Sequence, residues 1–234
     1  MAVIEPDVPH RITRRVVKDL EHAPYIGKPI VPYMSIVHDR IALELFRGCT
    51  RGCRFCQAGF IYRPIRERNR ETVMEQAREL IACTGYDEVS LFSLSSGDYS
   101  EIHTLVPEIM DEFEKKRVSI SFPSLRIDAF MKDDLERMQS VRKAGLTFAP
   151  EAGTQRLRDV INKGVQEEDL LRSAQDAFEA GWNSVKLYFM LGLPTETDED
   201  VIGIAELVYK ILQVWRENGS GKKRGPVSYT HLRA

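Results

Sequence analysis

The chain is 234 residues long, 43% hydrophobic and 29% charged, with a formal net charge of −2. That balance carries enough apolar side chains for a sizeable core, excludes a disordered chain, and argues against a generally basic nucleic-acid binder. No apolar run, Leu187–Pro194 included, approaches the roughly 20 residues of a membrane span, and Glu5 and Asp7 are foreign to a signal peptide. The expectation is a soluble, cytoplasmic protein with one large domain.

Met1–Tyr33 is irregular, punctuated by Pro6, Pro9, Pro24, Pro29 and Pro32, and reads as a linker or wrapping arm. A regular alternation follows. Ile41–Phe46 is a short apolar run, and Glu71–Thr84 has helical spacing through Val73, Ala77, Leu80 and Ile81. Val89–Leu94 is strand-like, Glu101–Lys116 is helical, and Val118–Phe122 alternates with period two. Asp133–Lys143 is an amphipathic helix, Leu146–Ala149 a short strand, and Gln155–Ile161 and Glu167–Ala180 two further helices. Val185–Leu191 is read as a nearly continuous buried strand, and Asp198–Trp215 closes the pattern as a helix. Asp98-x-x-Glu101, Asp133-x-x-Glu136 and Thr197-x-x-Asp200 have the form of capping boxes at the expected helix starts. Strands alternating with helices are the signature of an α/β fold with a parallel sheet, in which ligands sit at the C-terminal ends of the strands.

The first strand runs into Arg47-Gly-Cys49-Thr-Arg-Gly-Cys53-Arg-Phe55-Cys56-Gln-Ala-Gly59, a CxxxCxxC loop holding three of the four cysteines. Three thiolates on one loop can take three corners of a 4Fe–4S cubane and leave the fourth iron open, as a catalytic site requires. A zinc knuckle would need a fourth ligand, and Cys83, 27 residues beyond Cys56, is the next thiol. A purely electron-carrying cluster would want four ligands as well. Cys83 itself reads as a packing residue on the edge of the first long helix. Arg47, Arg51, Arg54, Arg63, Arg66, Arg68 and Arg70 form the most basic stretch, with some capacity for an RNA phosphate. Glu67 and Glu71 dilute it and Tyr62 is its one obvious stacking aromatic, so a solvated face is the better reading.

The cysteine loop, with Phe55 before the last thiol, resembles the signature of radical S-adenosylmethionine (SAM) enzymes. Residues from Lys28 to about Gly225 resemble one radical SAM family without a settled substrate, normally fused behind a cobalamin-binding-like domain. The phrases Phe148-Ala-Pro-Glu-Ala-Gly-Thr-Gln-Arg-Leu-Arg-Asp-Val-Ile-Asn-Lys163 and Lys186-Leu-Tyr-Phe-Met-Leu-Gly-Leu-Pro-Thr-Glu-Thr-Asp198 carry that likeness beside the loop. The resemblance implies a partial (β/α) TIM-like barrel with about five of its six strands present. It implies a cluster on Cys49, Cys53 and Cys56, and reductive cleavage of SAM to a 5′-deoxyadenosyl radical that abstracts hydrogen from an unknown substrate. Ser95-Ser96-Gly97-Asp98 stands where such enzymes receive the SAM ammonium, with Asp98 shorter than the usual Glu. Arg126 after the third strand is a candidate for the SAM carboxylate, its alternative being a surface pair with Asp128. Glu151 resembles the ribose-binding position, and Gly192 the segment packed on adenine. An electron donor such as flavodoxin or ferredoxin, and cobalamin held by an absent domain, are further implications.

By the same likeness, residues 1–35 read as an arm from a missing N-terminal domain, 36–218 as the radical SAM core, and 219–234 as a truncated tail. Tyr229–Ala234 resembles a translated adaptor sequence, which would leave the fifth strand without a neighbour. Competing functions are a methylthiotransferase or cobalamin-dependent methylase acting on RNA or protein, and a non-enzymatic iron–sulfur or zinc scaffold.

Overall fold

The structure, a computed structural model, describes residues 12–34, 36–121, 146–218 and 228–233, the last stretch as backbone. Six parallel strands fall into two three-stranded sheets. The first comprises β1 (Ile41–Glu44), β4 (Glu88–Phe92) and β5 (Ser119–Ser121), in that order. The second comprises β6 (Leu146–Glu151), β7 (Val185–Leu191) and β8 (Ser228–Arg233). A small antiparallel ladder, β2 (Phe46–Arg47) with β3 (Arg66–Glu67), brackets the cysteine loop. The helices are α1 (Gln57–Ile61), α2 (Arg70–Thr84), α3 (Ile102–Phe113), α4 (Gln155–Val160), α5 (Glu167–Glu179) and α6 (Asp198–Asn218). The expected amphipathic helix at Asp133–Lys143, its capping box and Arg126 lie outside the described residues.

Each sheet buries one face beneath its helices. Ile41, Leu43, Val89, Leu91 and Ile120 pack with Val73, Ala77, Leu105 and Ile109 in one core. Leu146, Phe148, Val185, Leu187 and Phe189 pack with Leu170, Phe178, Ile204 and Leu207 in a second. The other strand faces are less covered. β7 has exposed Lys186 and half-buried Tyr188 and Met190 between its buried residues, so the strand expected to be buried almost throughout is buried on one side only. A parallel strand covered on both faces would have hidden these as well; here the inward face lines an open barrel.

The fifth strand of the sequence reading was expected to lack a neighbour. Instead Ser228–Arg233 pairs with β7 in register from Lys186↔Ser228 to Leu191↔Arg233, a sixth parallel strand. Ladder pairing is a backbone property, and Tyr229 and Thr230 are good strand formers, so the open edge of β7 recruits this segment whatever its origin. The arm at 12–34 lies against the first sheet. Leu20 is 2% exposed, its carbonyl accepts from Arg68 (2.7 Å), and the Glu21 carboxylate accepts from the Asn69 amide and the Thr72 hydroxyl. Asn69 caps α2 without a side-chain bond of its own, so the arm supplies the acceptor that the helix start lacks. Cys83 is exposed rather than packed inside, with its thiol directed to the Gly27 carbonyl (3.2 Å).

The β6–α4 turn meets α6 at unusually short range. Asp200, 2% exposed, accepts from Thr154 Oγ1, Arg156 Nη2, the Thr197 amide (2.9 Å) and Thr197 Oγ1 (3.0 Å). The capping box read at Thr197–Asp200 forms in its carboxylate-to-amide half, and Asp200 extends it across the chain to Thr154 and Arg156. Burial alone would raise the Asp200 pKa; the four donors outweigh it and hold the carboxyl below its ordinary value of 3.8. A folded pKa below the unfolded one contributes stability above the ordinary carboxylate range and loses it as pH falls through that range and below. Asp200→Asn should therefore cost about 2–3 kcal/mol at neutral pH and flatten the acid limb of a urea-denaturation pH series. Gly153 explains the closeness, since a Cβ there would sit 2.3 Å from Ile204 N and 2.5 Å from Asp200 O. Gly153→Ala should destabilise by about 3 kcal/mol in the same assay. Gly85→Ala, at φ 72° with nothing near its Cβ, should cost about 1 kcal/mol from backbone strain alone.

Candidate functional site

The cysteine loop leaves β2 and enters α1, with Cys49, Cys53 and Cys56 as free, half-buried thiols. It has no ladder of its own, so its carbonyls need outside donors. They come from two directions. Arg63 reaches the carbonyls of Cys49 (3.2 Å) and Thr50 (3.5 Å). From the turn after α4, Asn162 Nδ2 donates to the carbonyls of Gly52 (3.0 Å) and Arg51 (3.3 Å). The Arg54 amide in turn donates to the Ile161 carbonyl (2.9 Å), and its guanidinium to the Val160 carbonyl. Gly48 and Gly52 take positive φ of 99° and 73°. At Gly48 a Cβ would also lie 2.8 Å from the Pro64 carbonyl oxygen, so no side chain fits.

The arginine stretch is only in part a solvated face: Arg51, Arg54 and Arg63 are exposed, and Arg47, Arg66, Arg68 and Arg70 are drawn inward. Arg47 forks onto Glu44 (2.6 and 2.9 Å), Arg66 donates to the Pro64, Tyr62 and Val17 carbonyls (3.0, 3.0 and 3.1 Å), and Arg68 is 2% exposed. Guanidiniums, with five donors each, satisfy an irregular loop that a repeating ladder does not. A charge count along the sequence cannot show the Arg66 and Arg68 contacts, because their main acceptors are backbone carbonyls.

The strand ends gather round this loop. After β4, Asp98 forks with Arg51 (Nε–Oδ2 2.8 Å) and sits in a short 3₁₀ turn, Ser96–Asp98. The capping box expected from Asp98 to Glu101 does not form: α3 begins at Ile102 behind Glu101, with no side-chain cap. Asp98 instead pairs with the loop, because a guanidinium that takes both carboxylate oxygens is the stronger partner. Ser96 is fully buried, its hydroxyl donating to the Leu91 carbonyl (2.9 Å) and sharing a bond with Ser93. Ser95, 5% exposed, has a buried hydroxyl with no partner among the described residues. Gly97 lies half-buried beside it.

After β6, Glu151 has φ 69° at a register shift in the strand, and its carboxylate pairs with Lys163 Nζ (3.0 Å). Lys163 also lies 5.7 Å from the centroid of the Phe55 ring. Burial pushes the Cys53 thiol up, while the Lys163 charge opposes that rise. Lys163 thus links the ribose candidate, the loop aromatic and the middle thiol. Sequence reading passed over it; its position at the end of the Phe148–Lys163 phrase was the available signal. After β7, Gly192 takes φ 84° with open space beside its Cβ, and its amide donates to Glu196 (3.0 Å). Cys49, Cys53, Cys56, Phe55, Asp98 and Glu151 are thus linked through the loop, whereas no bond ties Gly192 to it.

Among the described residues, no three His, Cys, Asp or Glu side chains converge closely enough to hold a single metal ion. A cubane asks something different, giving each thiolate its own iron, so three free thiols spread along an anchored loop fit it. The unpartnered Ser95 hydroxyl and the positively charged Lys163 fit a polar, ionic cofactor lying beside such a cluster.

A partial parallel barrel with three free thiols on the loop after its first strand defines a class of cluster-dependent α/β enzymes. Residues 43–208 match the radical SAM superfamily, and the chain belongs to it. Its members are enzymes that bind a 4Fe–4S cluster and SAM, so the non-enzymatic scaffold reading is set aside. The chain is 41% identical over 169 residues to an uncharacterised protein of Methanocaldococcus jannaschii, covering 72% of this chain and 36% of that one. It is 25% identical over 184 residues to a tRNA-2-methylthio-N(6)-dimethylallyladenosine synthase of Carboxydothermus hydrogenoformans, covering 74% and 41%. Its fold is similar to that of TsrM, a radical SAM methyltransferase of Kitasatospora setae, with TM-score 0.61, 16% identity and coverage of 74% and 34%. The chain thus spans roughly two fifths of the length of the curated relatives it matches. No described helix is long and apolar enough to cross a membrane.

Lys163→Met should raise the pH at which Cys53 reacts with iodoacetamide in the cluster-free protein, because the charge favouring its thiolate is gone. Alkylation resolved by peptide mass spectrometry checks this, with Cys83 as internal reference.

Proposed function

We propose that Cys49, Cys53 and Cys56 hold the 4Fe–4S cluster and that SAM lies across the ends of β4, β6 and β7, making this chain the catalytic core of a larger radical SAM enzyme. The observation that supports it most directly is the clasp of the Ile161–Lys163 turn on the cysteine loop, which sets Lys163 near Cys53 with Glu151 bound to it. When bound, the reduced cluster supplies the electron that breaks the sulfonium–C5′ bond of SAM. Ser95, Ser96, Gly97 and Asp98 offer hydroxyls, carbonyls and a carboxylate to an ammonium group; Glu151 offers a carboxylate to the ribose hydroxyls. Arg51 and Lys163 hold those two carboxylates in place, so little reorientation is left for the moment of binding. Phe55, against Lys163, puts an apolar ring beside the last thiol in sequence, and Gly192 leaves room for a planar base. Arg126 is proposed for the SAM carboxylate on the sequence likeness alone.

On the same reading, residues 12–34 connect the core to a preceding domain that binds cobalamin, a flavodoxin or ferredoxin delivers the electron, and the enzyme works in the cytoplasm. Likeness to a tRNA methylthiotransferase favours one second reading, an RNA-modifying enzyme whose further cofactor site lies elsewhere in the whole protein.

Electron paramagnetic resonance on anaerobically reconstituted, dithionite-reduced protein tests the proposal. A reduced 4Fe–4S signal should appear, shift when SAM is added, and be absent in Cys53→Ala. A signal indifferent to SAM in folded protein, or zinc in place of iron by elemental analysis, would sink it.

A further inference from the structure

Beside the cysteine loop is a cavity of about 580 Å³, the size of a small-molecule site. It lies between the arm at Arg14–Val17, the ends of β1 and β4, and the β2–β3 ladder. One side is apolar. Phe92, at the end of β4 on the face opposite buried Leu91, and Leu94, just beyond the strand, line it and are 53% and 40% exposed; Tyr62 and Ile61 continue it, 52% and 42% exposed. Large apolar groups left bare together, in a concave site, mark a ligand surface more often than chance exposure.

The other side is cationic. Arg14, Arg15, Arg47 and Arg66 line the cavity against a single carboxylate, Glu44. Glu44 is already forked by Arg47 and lies 3.4 Å from Arg68. Arg14 and Arg66 donate to neutral carbonyls, and neither has a carboxylate partner among the described residues. Arg66 feels burial first and then the like charges of Arg47 and Arg14, which lower its pKa. Guanidiniums gathered this closely repel one another unless an anion sits among them. The cavity also reaches the chemistry, since its lining includes Gly48, next to Cys49, and Ser93 and Leu94, next to Ser95.

We infer that this cavity takes an amphipathic anion, an apolar body ending in a carboxylate or phosphate, with the anionic group among Arg14, Arg15 and Arg66 and the body on Phe92 and Leu94. Resting on the proposed function, this names the substrate class of the same site: the head is held by the arm, and the body lies toward the cluster loop. A nucleic acid is the less favoured occupant, because Arg14, Arg15 and Arg66 share with the apolar wall a half-open pocket of small-molecule size.

The test is displacement of anilinonaphthalene sulfonate fluorescence from the full chain by decanoate, decyl phosphate, decanol and decyltrimethylammonium. Both anions should displace the dye at concentrations about tenfold below decanol, and the cation least well; the preferred anion identifies the head group. Arg15→Glu should weaken the anions about tenfold and leave decanol unaffected, and Leu94→Glu should weaken both; both positions are surface-accessible, and circular dichroism confirms that the variants fold. Equal displacement by anions and decanol, no change in either variant, or tRNA displacing the dye more effectively than decyl phosphate would overturn the inference. Reading the SAM-dependent paramagnetic shift on the same samples separates the two claims. A shift without anion preference defeats this cavity assignment alone, and anion preference without a shift defeats the radical SAM site alone.

Discussion

The clasp between the cysteine loop and the turn after α4 is the contact on which the rest depends. A loop that presents three thiols to one cofactor cannot also form a helix or a ladder, so its carbonyls must be satisfied from elsewhere. Asn162 does so from the second sheet and Arg63 from the loop's own return, while the Arg54 amide finds its acceptor in the Ile161 carbonyl. The same bonds join the two halves of the barrel across its mouth. Order in the ligand loop and docking of the half-barrels are therefore coupled, because neither set of partners is complete without the other.

That arrangement also decides the electrostatics. Asp98 meets Arg51, Glu151 meets Lys163, and Asp200 meets Arg156. A half-buried carboxylate without a partner is costly in a barrel mouth shielded from water, and these pairings remove that cost while fixing each oxygen in space. Lys163 acts twice, orienting Glu151 and lending positive charge to the thiol that burial disfavours as an anion. The arginine-lined cavity beside the arm is the contrasting region, where cations outnumber carboxylates.

Packing behind the mouth explains why the pairs stay put. Gly153 and Gly203 let α6 press against the β6–α4 turn, and Asp200 pins that approach through Thr154 and Thr197. On the first sheet the arm performs a similar service, with Leu20 buried and Glu21 closing the start of α2. Both devices hold strand ends by side chains arriving from distant segments.

Strand and helix order, the cysteine loop and its likeness to radical SAM signatures were legible in the sequence, because periodicity and motif spacing are local properties of the chain. Val73, Ala77, Leu80 and Ile81 mark α2 by their own spacing, and Thr197 and Asp200 mark the start of α6 by theirs. What the fold alone decided are contacts between residues far apart in the chain. Asn162 and Arg51 are separated by 111 positions, and no pattern along the chain announces that one closes the loop of the other. The Asp98 capping box failed for the same reason, since Arg51 arrives from 47 residues away and outcompetes a helix amide. Arg54, Arg63, Arg66 and Arg68, read as solvent-facing, anchor backbone carbonyls, which every residue carries and no sequence distinguishes. The sixth strand formed because β7 left a row of backbone donors and acceptors to fill, and backbone pairing depends on edge geometry more than on the residues that supply it.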